Sequence, residues 1–115
     1  MKPEQIEQAK LFDWLKSKRR IAPFCFAIMN ERRVTPMHGR ILRRMGLRSG
    51  VSDVFIGVPR GEWHGMFLEL KAGINVPTLN QEDFMKDMGS QGYYCVWANG
   101  FERAKLCIEE YLCFT

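Results

Sequence analysis

Two apolar stretches of this chain carry charges that a buried strand would ordinarily exclude. Gly50-Val51-Ser52-Asp53-Val54-Phe55-Ile56-Gly57-Val58 holds Asp53, and Gly65-Met66-Phe67-Leu68-Glu69-Leu70-Lys71 holds Glu69 and Lys71. Strand alternation puts Val54, Ile56 and Val58 on one face and Asp53, Phe55 and Gly57 on the other. In the second stretch Met66, Leu68 and Leu70 oppose Phe67, Glu69 and Lys71. A hairpin centred near Glu62 would set Asp53 across from Lys71 and diagonal to Glu69, so that all three charges share a face. Pro59, Arg60, Gly61 and Gly65 suit the connection.

Two carboxylates and an amine so placed match the needs of phosphodiester hydrolysis: a cation against the charge on phosphate, a water held in line, and support for the transition state. Hard oxygen ligands suit Mg2+ or Mn2+. Asp53 and Glu69 can share such an ion, the backbone carbonyl of Leu70 can add a third oxygen, and water would fill the other positions. Lys71 lies two residues from Glu69, on the same side, where its ammonium could orient the water. Taken alone, however, a Glu-x-Lys triplet is common, and a cross-strand Asp53–Lys71 ion pair would account for the charges.

The surrounding elements decide whether a site can form. A helix is expected from about Pro3 to Lys18, with Glu4, Gln8, Leu11, Trp14, Leu15 and Lys18 along one face. This stripe begins acidic and ends apolar, so Glu4, or Glu7 beside it, could reach a site at the mouth of the core; an acid at a helix N-terminus is also favourable by itself. Phe24 to Met29 is dense in strand formers. Residues 30 to 37 form a loop, and a short helix from about Gly39 to Met45 sets Ile41, Leu42 and Met45 against Arg40, Arg43 and Arg44.

After the hairpin, Gly73 to Pro77 is a loop and Thr78-Leu79-Asn80-Gln81 has the spacing of a capping box opening a helix. Gln81 could therefore serve the cap or the site. A strand over Tyr93 to Ala98 and a closing helix from Phe101 to about Leu112 complete an α/β order of helix, strand, helix, strand, strand, helix, strand, helix. His64 lies in the hairpin connector, where a lone histidine is more often incidental.

The 115 residues, 46% of them hydrophobic, suit one domain, residues 1 to 115, with a single core. No apolar run approaches a spanning helix and no signal segment opens the chain, so neither membrane insertion nor secretion is expected. Cys25, Cys95, Cys107 and Cys113 lack zinc-site spacing and read as reduced thiols, which suits a cytoplasmic protein. The net charge is only +4, yet residues 16 to 48 hold ten basic side chains against the single acid Glu31. Eight of the ten are arginines, including Arg32, Arg33, Arg40, Arg43, Arg44 and Arg48, a composition suited to bidentate contact with nucleic-acid phosphates.

The ordered set of Gly50-Val51-Ser52-Asp53, His64-Gly65-Met66-Phe67-Leu68-Glu69-Leu70-Lys71, Gln81 and Gly92-Tyr93 resembles the virus-type replication-repair nuclease (VRR-NUC) domain of the PD-(D/E)xK superfamily. The resemblance extends to the opening helix with Glu4 and Gln8, to Ala27-Ile28-Met29-Asn30, and to the closing Gly100-Phe101-Glu102-Arg103-Ala104 through Tyr111-Leu112. It implies a restriction-endonuclease-like core with a mixed sheet flanked by helices. It also implies catalytic Asp53, Glu69 and Lys71 with Gln81 near them, and Glu4 as an accessory metal ligand. The implied activity is that of an Mg2+- or Mn2+-dependent DNA endonuclease, homodimeric and directed at branched DNA such as four-way (Holliday) junctions. Ser52 stands where the superfamily places proline, and Met29-Asn30-Glu31-Arg32 replaces a loop that usually holds proline and glycine. Two other readings are a non-catalytic nucleic-acid-binding module of this fold and a restriction-type nuclease acting on a short duplex sequence.

Overall fold

The computed structural model describes residues 1–29 and 35–115, so Arg32 and Arg33 lie outside the described residues. Four strands form one mixed sheet in the order β1 (Cys25–Ala27), β2 (Val54–Ile56), β3 (Met66–Lys71), β4 (Tyr94–Asn99). The first three run antiparallel in succession, and β4 lies parallel to β3. A parallel neighbour requires a crossover, supplied here by helix α3 (Leu79–Ser90). The remaining helices are α1 (Pro3–Lys16), α2 (Pro36–Arg44) and α4 (Phe101–Leu112).

Side-chain alternation sorts the layers. Val54, Ile56, Met66, Leu68 and Leu70 form a buried cluster with Leu11 and Leu15 of α1 and Ala104, Ile108 and Tyr111 of α4. On the opposite face α3 lays Phe84 edge-on to Phe67, with ring centroids 5.1 Å apart. All six residues of β3 are buried, as befits a central strand covered on both sides. A charge on β3 is therefore desolvated whichever way it points. No described helix is long and apolar enough to cross a membrane.

Several expected boundaries move for identifiable reasons. The first helix stops at Lys16 rather than Lys18, because the Ser17 hydroxyl donates to the Trp14 carbonyl and the next amides form tighter turns. Ala22 to Phe24 forms a 3-10 turn containing Pro23, which shortens the first strand to Cys25–Ala27. Irregular pairing continues at its ends, with the Gly57 amide donating to Phe24 O and the Ile28 amide to Asp53 O. The short basic helix begins at Pro36, capped by Thr35, and its apolar side does not join the core: Met37, Ile41 and neighbouring Met45 are exposed.

The hairpin register also differs. Val54 pairs with Leu68 and Ile56 with Met66, which continued by one residue sets Asp53 beside Glu69 instead of across from Lys71. Val58 leaves the ladder, its carbonyl accepting the Tyr111 hydroxyl at 2.6 Å, while Arg60 and Trp63 close a tight turn around Gly61, whose φ is +56°. The offset of two residues is even, so no side chain changes face.

Glu7 ties the first helix to the last. Its Oε1 accepts the Phe101 amide at 3.0 Å, at the start of a helix whose own cap, Gly100, has no side chain, and its Oε2 pairs with Lys10 at 3.0 Å. The Phe101 amide first, and Lys10 second, hold the Glu7 carboxyl below its ordinary 4.5. A depressed carboxyl stabilises the fold above pH 4.5, and that contribution is lost as pH falls through the depressed value. Glu7→Gln should therefore unfold at lower urea than wild type at pH 7, with the difference closing below pH 4.5. Urea midpoints measured across that range check it; a gap that persists in acid would refute the charge-assisted cap.

Candidate active site

The two carboxylates meet at the β2–β3 junction. Asp53 Oδ2 accepts the Leu70 amide at 2.8 Å, so the side chain occupies a place where a continuing β2 would have paired. The backbone carbonyl of Asp53 is held by Ile28, which leaves the residue fixed at both ends and 8% exposed. Glu69 is fully buried. Its Oε2 receives two donors, Lys71 Nζ at 3.4 Å and Gln81 Nε2 at 3.2 Å, whereas its Oε1 has no hydrogen-bond partner.

Burial first, and then the charge of Asp53, push the Glu69 carboxyl up to about 8, against an opposing pull from Lys71. Lys71 thus offsets only part of the cost of clustering two carboxylates. A buried carboxylate oxygen without a partner calls for a proton or a cation. Among the described residues no three or more His, Cys, Asp or Glu side chains gather in one group. Two carboxylates with a main-chain oxygen are nevertheless a donor set that fits magnesium or manganese, since magnesium uses one or two carboxylates and keeps several waters.

Gln81 caps α3 and also reaches Glu69. Its Oε1 accepts the Thr78 amide at 2.8 Å and its own amide donates to the Thr78 hydroxyl at 3.3 Å, completing the capping box of α3. The same side chain then sends Nε2 to Glu69. One amide group can do this because its oxygen and nitrogen face different partners. The cap fixes the rotamer that reaches the site.

Asp53 lines a cleft of about 720 Å³ together with Lys2, Glu4 and Gln8 of the N-terminal segment, Ile28 and Met29 after β1, and Gly73, Ile74 and Asn75 after β3. Glu4 therefore faces the cleft while Glu7 is turned to α4. His64 stands elsewhere: its amide donates to Gly92 O at 2.8 Å, and its ring packs edge-on to Tyr93. Arg40, Arg43 and Arg44 are exposed on α2. Arg48 is held at 2.7 Å by Asp87 and lies over the Phe84 ring, so its charge is compensated within the fold.

Two features escape sequence reasoning. Gly50 has φ +85°, and a Cβ there would come within 2.4 Å of the Asn80 carbonyl, so the approach to Asp53 is pressed against the start of α3. Ser49 reinforces this by accepting Asn80 Nδ2 at 3.1 Å. Ser52 is buried with an unpartnered hydroxyl beside Asp53. A Ser-Gly pair signals only a turn, and nothing in the chain's periodicity says which helix it abuts.

No protein-family model matches the sequence, and no curated protein matches it. A solved structure described as a VRR_NUC domain protein is similar over 97% of this chain and 89% of that one, with a TM-score of 0.79 and 24% sequence identity. The sheet and its flanking helices thus follow that protein's course almost throughout. The chain therefore shares its α/β fold, a mixed sheet flanked by helices, with that VRR_NUC domain protein.

Proposed function

We propose that residues 1–115 form a single nuclease domain that hydrolyses DNA phosphodiester bonds with the help of Mg2+ or Mn2+. The observation that carries this reading is the buried group of Asp53, Glu69, Lys71 and Gln81 beside a cleft, with Glu69 Oε1 receiving no hydrogen-bond donor among the described residues. Asp53, Glu69 and the Leu70 carbonyl would hold the ion, with Glu4 as an accessory ligand from the cleft wall. When bound, it would supply the positive charge that neutralises the phosphate and favours ionisation of water.

The protein's own groups do the rest. The Leu70 amide keeps Asp53 from swinging away, and Gln81 keeps Glu69 in one rotamer. Lys71, 4% exposed and on the same face as Glu69, stabilises charge that develops on the phosphate oxygens and orients the attacking water. Burial strengthens each of these interactions by excluding solvent. Phosphate contacts outside the cleft fall to Arg40, Arg43 and Arg44, with Arg32, Arg33 and Arg48 completing the set.

The substrate we propose is branched DNA such as a four-way junction, cut by a homodimer. One small domain presents one site, and paired incisions across a junction need two sites related by symmetry. The test is direct. Incubated with a synthetic four-way junction, a matched linear duplex and plasmid, the protein is expected to incise the junction in Mg2+ or Mn2+ and to be silent in chelator. Binding without cleavage in either metal would establish a non-catalytic module, and cleavage confined to one linear sequence would establish a restriction-type enzyme.

A further inference from the structure

The loop between the end of β3 and α3 follows Lys71 directly and leaves its apolar side chains in water. Ile74 is 98% exposed, Val76 63% and Leu79 73%. Single exposed aliphatics are ordinary on protein surfaces, but three within six residues beside a buried charged site form a patch. The loop is also anchored. Asn99 Nδ2 donates to Gly73 O at 2.6 Å, the Gly100 amide to Lys71 O at 2.9 Å, and the Asn75 amide to Ala72 O at 3.4 Å. Gly73 has φ +66°, which turns the chain so that Ile74 projects while still lining the cleft that contains Asp53. Met29, 85% exposed, lines that cleft too.

We propose that Ile74, supported by Val76 and Met29, is a wedge that takes the face of an unstacked nucleobase next to the scissile phosphate. This rests on the nuclease reading of the site. A phosphate brought to Asp53 and Glu69 carries its neighbouring bases within reach of the cleft rim, where Lys2 adds a positive charge for the backbone. An intact duplex offers no free base face to a projecting aliphatic side chain. A branch point, nick or single strand does, and inserted apolar side chains separate base steps in other nucleic-acid-binding proteins. The loop thereby selects DNA whose stacking is already broken, giving preference for branched substrates without reading their sequence.

The full chain can be tested with a four-way junction carrying 2-aminopurine at the branch and with a linear duplex carrying it at the same sequence position, in Ca2+ to hold back hydrolysis. Binding of wild type should raise the junction probe's fluorescence several-fold and leave the duplex probe nearly unchanged. Ile74→Ser should remove more than half of the rise, and Ile74→Leu should restore it. In Mg2+, Ile74→Ser should slow cleavage of the junction and of a single strand by about tenfold each. An unchanged fluorescence rise in Ile74→Ser would overturn the wedge. So would conversion of a dimer to monomer by that substitution, which would assign the patch to a second copy of the chain. If wild type cleaves none of these DNAs, the nuclease reading falls, while the fluorescence measurement still decides the wedge.

Discussion

Glu69→Gln is expected to abolish DNA cleavage while leaving the protein folded with a melting temperature at or above that of wild type. The two effects have separate origins. An amide ligates a hard cation poorly, and removing several kcal/mol of transition-state stabilisation at tenfold per roughly 1.4 kcal/mol costs about 10³-fold or more in rate. The folded state sees a different change. Glu69 is fully buried, and burial and Asp53 push its carboxyl up to about 8, so near pH 7 and without metal the neutral form is already favoured. Glutamine copies that neutral form: its carbonyl can accept from Gln81 and Lys71, and its amino group can donate to the neighbouring Asp53 carboxylate as the protonated acid would. Thermal melting in chelator and junction cleavage in Mg2+ check the pair. A variant that cleaves like wild type would remove Glu69 from the site; one that melts well below wild type would show that Lys71 needs a full negative charge beside it.

Gly50→Ala is expected to cost stability and activity together, through the start of α3. The backbone there has φ +85°, and an added Cβ would lie 2.4 Å from the Asn80 carbonyl, an atom of a helix and not a flexible side-chain tip. A left-handed non-glycine residue costs about 1 kcal/mol, and forced displacement of a packed element raises the total to roughly 2 to 4 kcal/mol. In a domain of this size that lowers the melting temperature by about 10 °C or more. Asn80 is followed by Gln81, so a shift of the helix start also draws Nε2 away from Glu69, and loss of such a supporting hydrogen bond costs about 10- to 100-fold in activity. Gly46→Ala is the control, since Gly46 also has a positive φ of +105° but a Cβ there meets nothing within 4 Å. Equal losses in the two variants would mean that backbone strain, and not contact with α3, is responsible.

Much of this arrangement was legible in the residue pattern because period and polarity act locally. Met66–Lys71 and Phe101–Leu112 form the strand and helix that alternation and helical spacing mark, and Asp53, Glu69 and Lys71 share the face that a period of two assigns them. What periodicity does not encode is offset. The hairpin slid by two residues because Val58 gives its carbonyl to Tyr111, a residue 53 positions away, and no local signal reports such a partner. Arg48 likewise has partners, Asp87 and Phe84, that lie far along the chain and that no local pattern reports. The Pro36–Arg44 helix shows another limit of the pattern: an apolar stripe with Ile41 exposed specifies a capacity to pack, and the described core offers it no surface.

The Glu7–Phe101 hydrogen bond, spanning 94 positions, has a consequence for synthesis. Ribosomes deliver residues in order, so the opening helix can pack Leu11 and Leu15 on the sheet before its Glu7 finds the Phe101 amide. A chain made only as far as Gly92 thus carries Asp53, Glu69, Lys71 and Gln81 before the Phe101 amide that anchors the Glu7 carboxylate exists.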